Sequence, residues 1–205
     1  MNRILRIASA LFFALAFAAP AAAIDFTNVA FVPTARQATS VPIGHAQFCA
    51  TRPGECGANA ELIAAVPLTE ARWQDLIEVN AHYNTTIAPA TDMDLYQVEE
   101  FWTYPVSGFG DCEDYVLAKR RALIERGWPA STLLISVVRE PNGDGHAVLV
   151  VRTDRGDLVL DNQDALIRVW HETPYTYVKR QDQAHSGRWV DMLDDRVTVT
   201  ASTNR

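Results

Sequence analysis

Two stretches of the chain repeat at helical spacing. In residues 69–84, Trp73, Leu76, Ile77 and Val79 form an apolar stripe, with Thr69 as a suitable N-cap and Glu70 and Asp75 early in the run. In residues 112–126, Val116 and Leu123 lie seven apart, as do Leu117 and Ile124, and together they mark a buried face. Asp111 stands where an N-cap belongs, and Glu113 and Asp114 follow at the positive end of the helix dipole. Lys119, Arg120, Arg121 and Arg126 come later, and Gly127 before Pro129 suits a helix end.

After Pro129 the period changes. Residues 132–139 (TLLISVVR), 146–152 (HAVLVVR) and 158–161 (LVLD) read as strands, separated by the turn-forming words Asn142-Gly143-Asp144-Gly145 and Asp154-Arg155-Gly156-Asp157. Residues 188–192 and 196–200 are further β candidates. Residues 24–36 read as a short strand or arm, 39–57 as a loop rich in Pro, Gly and Cys, and 98–105 as an aromatic core segment. Helices followed by an antiparallel meander predict an α+β domain.

Composition narrows the function classes. The 205 residues are 48% hydrophobic and 21% charged, which suits one globular domain and excludes a disordered chain. A net charge of −7 argues against a nucleic-acid surface as the main function. Residues 1–23 stand apart from the rest. Arg3 and Arg6 precede the apolar run LFFALAF (residues 11–17), and Ala21-Ala22-Ala23 offers a small-residue cleavage site, the layout of a secretory signal peptide. Its removal leaves a domain of residues 24–205, loses two arginines and no acid, and takes the charge from −7 to −9. The expected location is therefore periplasmic or secreted, with no stable membrane insertion after cleavage.

Export changes how the three cysteines read. Cys49 and Cys56 lie close together in QFCATRPGEC, and a disulfide between them would close a small loop. Cys112 is then the free thiol. It opens a helix, where the dipole and free backbone N–H groups favour a thiolate. His146 opens one strand and Asp161 closes the next, so a hairpin folded about Thr153-Asp154 sets them opposite each other. An imidazole oriented by a carboxylate is what a cysteine nucleophile requires, with Asn162 as the rival to Asp161. Asp111 and Glu113 flank the thiol and would raise its pKa unless a cation neutralises them. Calcium, which takes hard oxygen ligands, fits that role, with Asp114 as a further candidate ligand. The Cys112 backbone N–H is the natural oxyanion donor, and Trp102 reads first as a core aromatic.

The words Gly110-Asp111-Cys112-Glu113-Asp114-Tyr115, Lys119-Arg120, Gly145-His146-Ala147-Val148-Leu149-Val150 and Leu160-Asp161-Asn162 resemble the bacterial transglutaminase-like cysteine proteinase family, which includes LapG-type periplasmic proteases. The resemblance implies a papain/transglutaminase-like fold, helices packed on an antiparallel sheet. It implies Cys112 as nucleophile, His146 as general base and then acid, and Asp161 as orienting carboxylate. It further implies calcium dependence, cleavage of a surface adhesin in biofilm control, and restraint by an inner-membrane cyclic-di-GMP receptor. The alternatives on the same residues are a transglutaminase-like acyl transferase or amidase, and a non-catalytic binding module. The mature chain is expected to begin near Ile24. N-terminal sequencing of extracytoplasmic protein checks this, and full-length protein confined to the cytoplasm would contradict it.

Overall fold

The computed structural model describes residues 31–194 and Arg196. The signal-peptide reading and residues 197–200 of the last β candidate lie outside the described residues. The elements in chain order are β1 (Thr34–Thr39), α1 (Ile43–Thr51), α2 (Glu70–Thr86), β2 (Ala88–Pro89), α3 (Asp92–Tyr96), β3 (Phe109–Gly110) and α4 (Cys112–Glu125). These are followed by β4 (Leu133–Arg139), β5 (Gly145–Thr153), β6 (Gly156–Leu160), β7 (Arg168–Val169), β8 (Thr176–Asp182) and β9 (His185–Met192).

Seven strands form one antiparallel sheet in the order β1-β9-β8-β4-β5-β6-β7, against which α4 packs, with α2 behind it. The expected α+β architecture is present, but the sheet is not a simple meander. The β8–β9 hairpin pairs with β4 on the side away from β5, so β4 lies centrally. The charged run TYVKRQD hides β8 from a pattern reading, because both edges of that strand are hydrogen-bonded while much of its surface stays partly exposed.

β5 is buried on both faces. Ala147, Leu149 and Val151 join Val116, Leu123 and Leu76 in the core under the helices. Val148 and Val150 join Trp170, Tyr175 and Tyr177 in a second core on the opposite face. Double-sided burial explains the near-continuous apolar run. At the β5–β6 turn Thr153 pairs with Gly156, whose φ of 108° only glycine adopts freely.

α2 begins as expected, with Thr69 Oγ1 accepting from Arg72 N at 3.3 Å. Its buried face is Leu76, Val79 and Asn80, whereas Ile77 is 39% exposed and Trp73 half-buried. In α4 Val116, Leu117 and Leu123 are buried as expected, but Ile124 is 36% exposed and Lys119 and Arg120 take buried positions instead. The helix closes at Gly127 (φ 85°), with Trp128 N bonding Leu123 O and Gly127 N bonding Ile124 O.

The region expected to be a loop over residues 39–57 contains α1. Its reason is tertiary. Phe48, Gly44 and His45 are buried, and His45 sits edge-on to Trp102 and Trp189 while Trp189 Nε1 donates to its Nδ1 at 3.1 Å. Cys49 on α1 is joined to Cys56, with Cα atoms 5.5 Å apart, and Cys112 is the free cysteine. Replacing Cys49 and Cys56 together by Ala should lower stability by about 2–3 kcal/mol, the loop-closure value for so short a ring. A shift in the urea midpoint checks this; an unchanged midpoint would show that the bond adds nothing.

Candidate active site

The start of α4 and the β5–β6 hairpin bring the sequence-predicted residues to one place. Cys112 is the first residue of α4, and its thiol donates to Glu113 Oε2 at 2.8 Å. His146 is the second residue of β5. Its Nε2 lies 2.9 Å from Asp161 Oδ1, with both side chains buried. The strand register is Leu149 opposite Leu160, which sets Asp161 across from Val148 rather than from His146. The hairpin turns one residue later than the sequence suggests, so the pairing differs by two. A shift of two keeps both side chains on one face, and the diagonal contact forms.

Asp161 is held from three directions. Oδ1 also accepts from Gln163 N at 2.9 Å, and Oδ2 accepts from Tyr175 Oη at 2.5 Å. Burial alone would raise its pKa; the bonds from His146, Tyr175 and Gln163 outweigh this and hold the carboxyl below its ordinary value. Tyr175 carried no signal in the sequence, since only the fold of the far sheet face brings its ring to 5.4 Å from that of His146. The imidazole partner is Asp161 rather than Asn162. Nδ1 is the ring nitrogen left uncommitted by Asp161.

His146 and Cys112 line the same cleft, about 400 Å³ in volume, together with Trp102, Glu113, Ala147 and Lys179. Burial first, then Glu113, push the Cys112 thiol up, while the backbone N–H of Ala147 works the other way. The indole of Trp102 donates to Glu100 Oε2 at 3.2 Å, so it is engaged at the cleft wall. A second cavity of about 410 Å³ lies between the disulfide loop and α4, lined by Glu55, Tyr104, Arg121 and Ser186 among others. Cys112, His146 and Asp161 are not part of its wall.

The acids around Cys112 divide into two groups. Glu113 faces the cleft beside Cys112 and Glu100. Asp111 occupies the N-cap position but makes no side-chain capping bond. Its carboxylate oxygen lies within 4.8 Å of oxygens from Asp92 and Asp114. Asp114 Oδ1 accepts from Thr103 N at 2.9 Å and Asp92 Oδ2 accepts from Phe101 N, yet Asp114 Oδ2 and Asp92 Oδ1 are buried without a hydrogen-bond partner. Burial and then neighbouring carboxylates raise Asp111; burial, followed by Asp92 and Glu113, raises Asp114 to about 7. Gly110 permits the crowding, because a Cβ there would sit 2.7 Å from Asp114 Oδ2. Orphaned buried oxygens in an all-carboxylate set fit a hard dication. The sequence reading paired Asp111 with Glu113 and offered Asp114 as a further ligand; the structure groups Asp111 with Asp114, adds Asp92, and leaves Glu113 beside the thiol. Asp92 lay too far back in the chain for local spacing to reveal it.

A fold with helices on an antiparallel sheet, a thiol opening a helix and a histidine in the same cleft bonded to a buried aspartate defines a papain/transglutaminase-like arrangement. The model of the bacterial transglutaminase-like cysteine proteinase family matches residues 35–197, and the chain belongs to that family of cysteine peptidases. Among solved structures it is similar to calcium-bound LapG of Legionella pneumophila, with 22% identity and a TM-score of 0.51 over 63% of this chain and 74% of that one. It is also similar to EGTA-treated LapG of the same organism, with 25% identity and a TM-score of 0.47 over 54% and 63% of the two chains. No curated protein sequence matches the chain. Among the described residues no helix is long and apolar enough to cross a membrane.

Proposed function

We propose that the protein is an exported cysteine endopeptidase that cleaves an exported or cell-surface protein with Cys112, His146 and Asp161. The observation that carries this reading is the buried His146–Asp161 bond opening on the cleft that holds Cys112. Asp161 keeps a proton on Nε2, which leaves Nδ1 as base. The Cys112 proton passes to Nδ1 and the sulfur adds to the substrate carbonyl carbon, while the oxyanion accepts from backbone N–H at the start of α4. The C–N bond then breaks and His146 returns the proton to the departing amine. Water, deprotonated by His146, opens the thioester and restores the thiol.

Asp92, Asp111 and Asp114, with Glu113 beside them, are the residues that would hold calcium. When bound, the ion supplies positive charge at the start of α4, opposing the carboxylate field that raises the Cys112 thiol. The family resemblance supports an adhesin as substrate and an inner-membrane cyclic-di-GMP receptor as regulator.

Cys112→Ala and His146→Ala should abolish hydrolysis, and Asp161→Asn should cut it by orders of magnitude. The test is N-terminal profiling of surface-protein preparations treated with each variant. New N-termini with the wild type and none with Cys112→Ala are expected. Cross-linked products without new termini would instead mean acyl transfer, and no change of either kind would end the thiol-enzyme reading.

Calcium should raise the melting temperature more as pH rises. Carboxyls whose folded pKa is raised, such as Asp114, lose folding free energy as pH climbs from the ordinary carboxylate value, about 4, towards their folded value, and a dication removes that loss. The increment should be small near pH 4 and largest above pH 7, and absent in Asp111→Asn with Asp114→Asn. Comparing each pH with and without calcium cancels His45, whose burial lowers it to about 4 and acts in the opposite sense. An increment that is zero at every pH would remove calcium from the account.

A further inference from the structure

Asp161 directly follows β6 and opens residues 161–165, a segment without regular structure. The position of its carboxylate therefore depends on what holds that segment. Two asparagines one turn apart on α2 do so. Asn84 Nδ2 donates to Asp161 O at 2.8 Å, and Asn80 Nδ2 donates to Ala165 O at 3.4 Å. Asn80 is itself 1% exposed, and its Oδ1 accepts from Lys119 Nζ at 2.8 Å.

Lys119 is an unusual residue to find there. It is 0% exposed, and its hydrogen-bond partner is a neutral amide. A buried ammonium costs several kcal/mol to desolvate unless a charge faces it. Burial lowers Lys119 to about 7, with the charge of Asp161 acting against that fall. Lys119 lies seven residues, two helical turns, after Cys112 on α4, so the helix that presents the thiol also carries the ammonium that Asn80 binds.

We propose that Lys119, Asn80 and Asn84 form a positioning device that anchors segment 161–165 to α2 and α4 and so holds the Asp161 carboxylate on His146. Lys119 touches neither substrate nor thiol and acts through Asp161. This inference rests on the proposed catalytic roles of Cys112, His146 and Asp161.

The test reads Cys112 directly and needs no natural substrate. The rate of Cys112 alkylation by iodoacetamide, in calcium-containing buffer with the Cys49–Cys56 bond intact, reports thiolate reactivity. It is measured for wild type, Lys119→Met, Asp161→Asn and the double variant, each with a melting curve. Lys119→Met should slow alkylation at least about fivefold in protein that still folds, with a lowered melting temperature, since buried Asn80 Oδ1 loses its donor. The double variant should be no slower than Asp161→Asn alone, because both changes break one unit. A merely structural Lys119 would slow alkylation by a factor that multiplies with that of Asp161→Asn, or not at all; either outcome while Asp161→Asn is slow overturns the proposal. If Lys119→Met does not fold, Asn84→Ala and Asn80→Ala decide in its place. Slowing that does not multiply with Asp161→Asn supports the device, and unchanged rates overturn it. An Asp161→Asn rate equal to wild type would instead remove the Cys-His-Asp reading itself, and this inference with it.

Discussion

The arrangement depends on the register of the β5–β6 hairpin. His146 and Asp161 meet only because Leu149 lies opposite Leu160, and that pairing is enforced by burial on both faces of β5. A slip of one residue would exchange the valines beneath Trp170 and Tyr177 with the residues that pack under α4. It would also turn Asp161 away from His146. The fold and the candidate site are thus specified by one pattern, and a change in core packing that altered the register would act on both.

Around this hairpin, the structure concentrates negative charge at one end of α4 and buries positive charge further along it. Asp92, Asp111, Glu113 and Asp114 crowd the N-terminus, where a helix dipole alone offers about half a unit of positive charge. That is too little for four carboxylates, and two orphaned oxygens mark the deficit. Further along, Lys119 and Arg120 are buried, Arg120 donating through Nε to Leu133 O at 2.9 Å. The helix is therefore a structural link between the acid cluster, the cleft and the segment that carries Asp161.

Much of this was legible in the chain. Helix periodicity gave α2 and α4, Gly127 marked a true helix end, and the words around Cys112, His146 and Asp161 identified the family. The parts that were not legible share a physical cause, which is that tertiary contacts decided them. α1 looks like a loop because Pro, Gly and Cys punctuate it, and it is helical because Phe48 and His45 pack into the core. β8 is not among the strand candidates, and it is a strand because β4 and β9 hydrogen-bond both its edges. Lys119 and Arg120 look like dipole-complementing surface cations. Asp92 and Tyr175 carry no local signal, and chain folding alone brings them to Asp111 and Asp161.

The central claim is that Asp161 fixes the proton of His146 on Nε2 and leaves Nδ1 to serve Cys112. The most direct measurement is nitrogen-15 NMR of the His146 ring in Cys112→Ala protein, at a pH where the imidazole is neutral. The account predicts a single tautomer protonated at Nε2, lost in Asp161→Asn. A ring protonated at Nδ1, or averaging between the two tautomers with Asp161 intact, would contradict it.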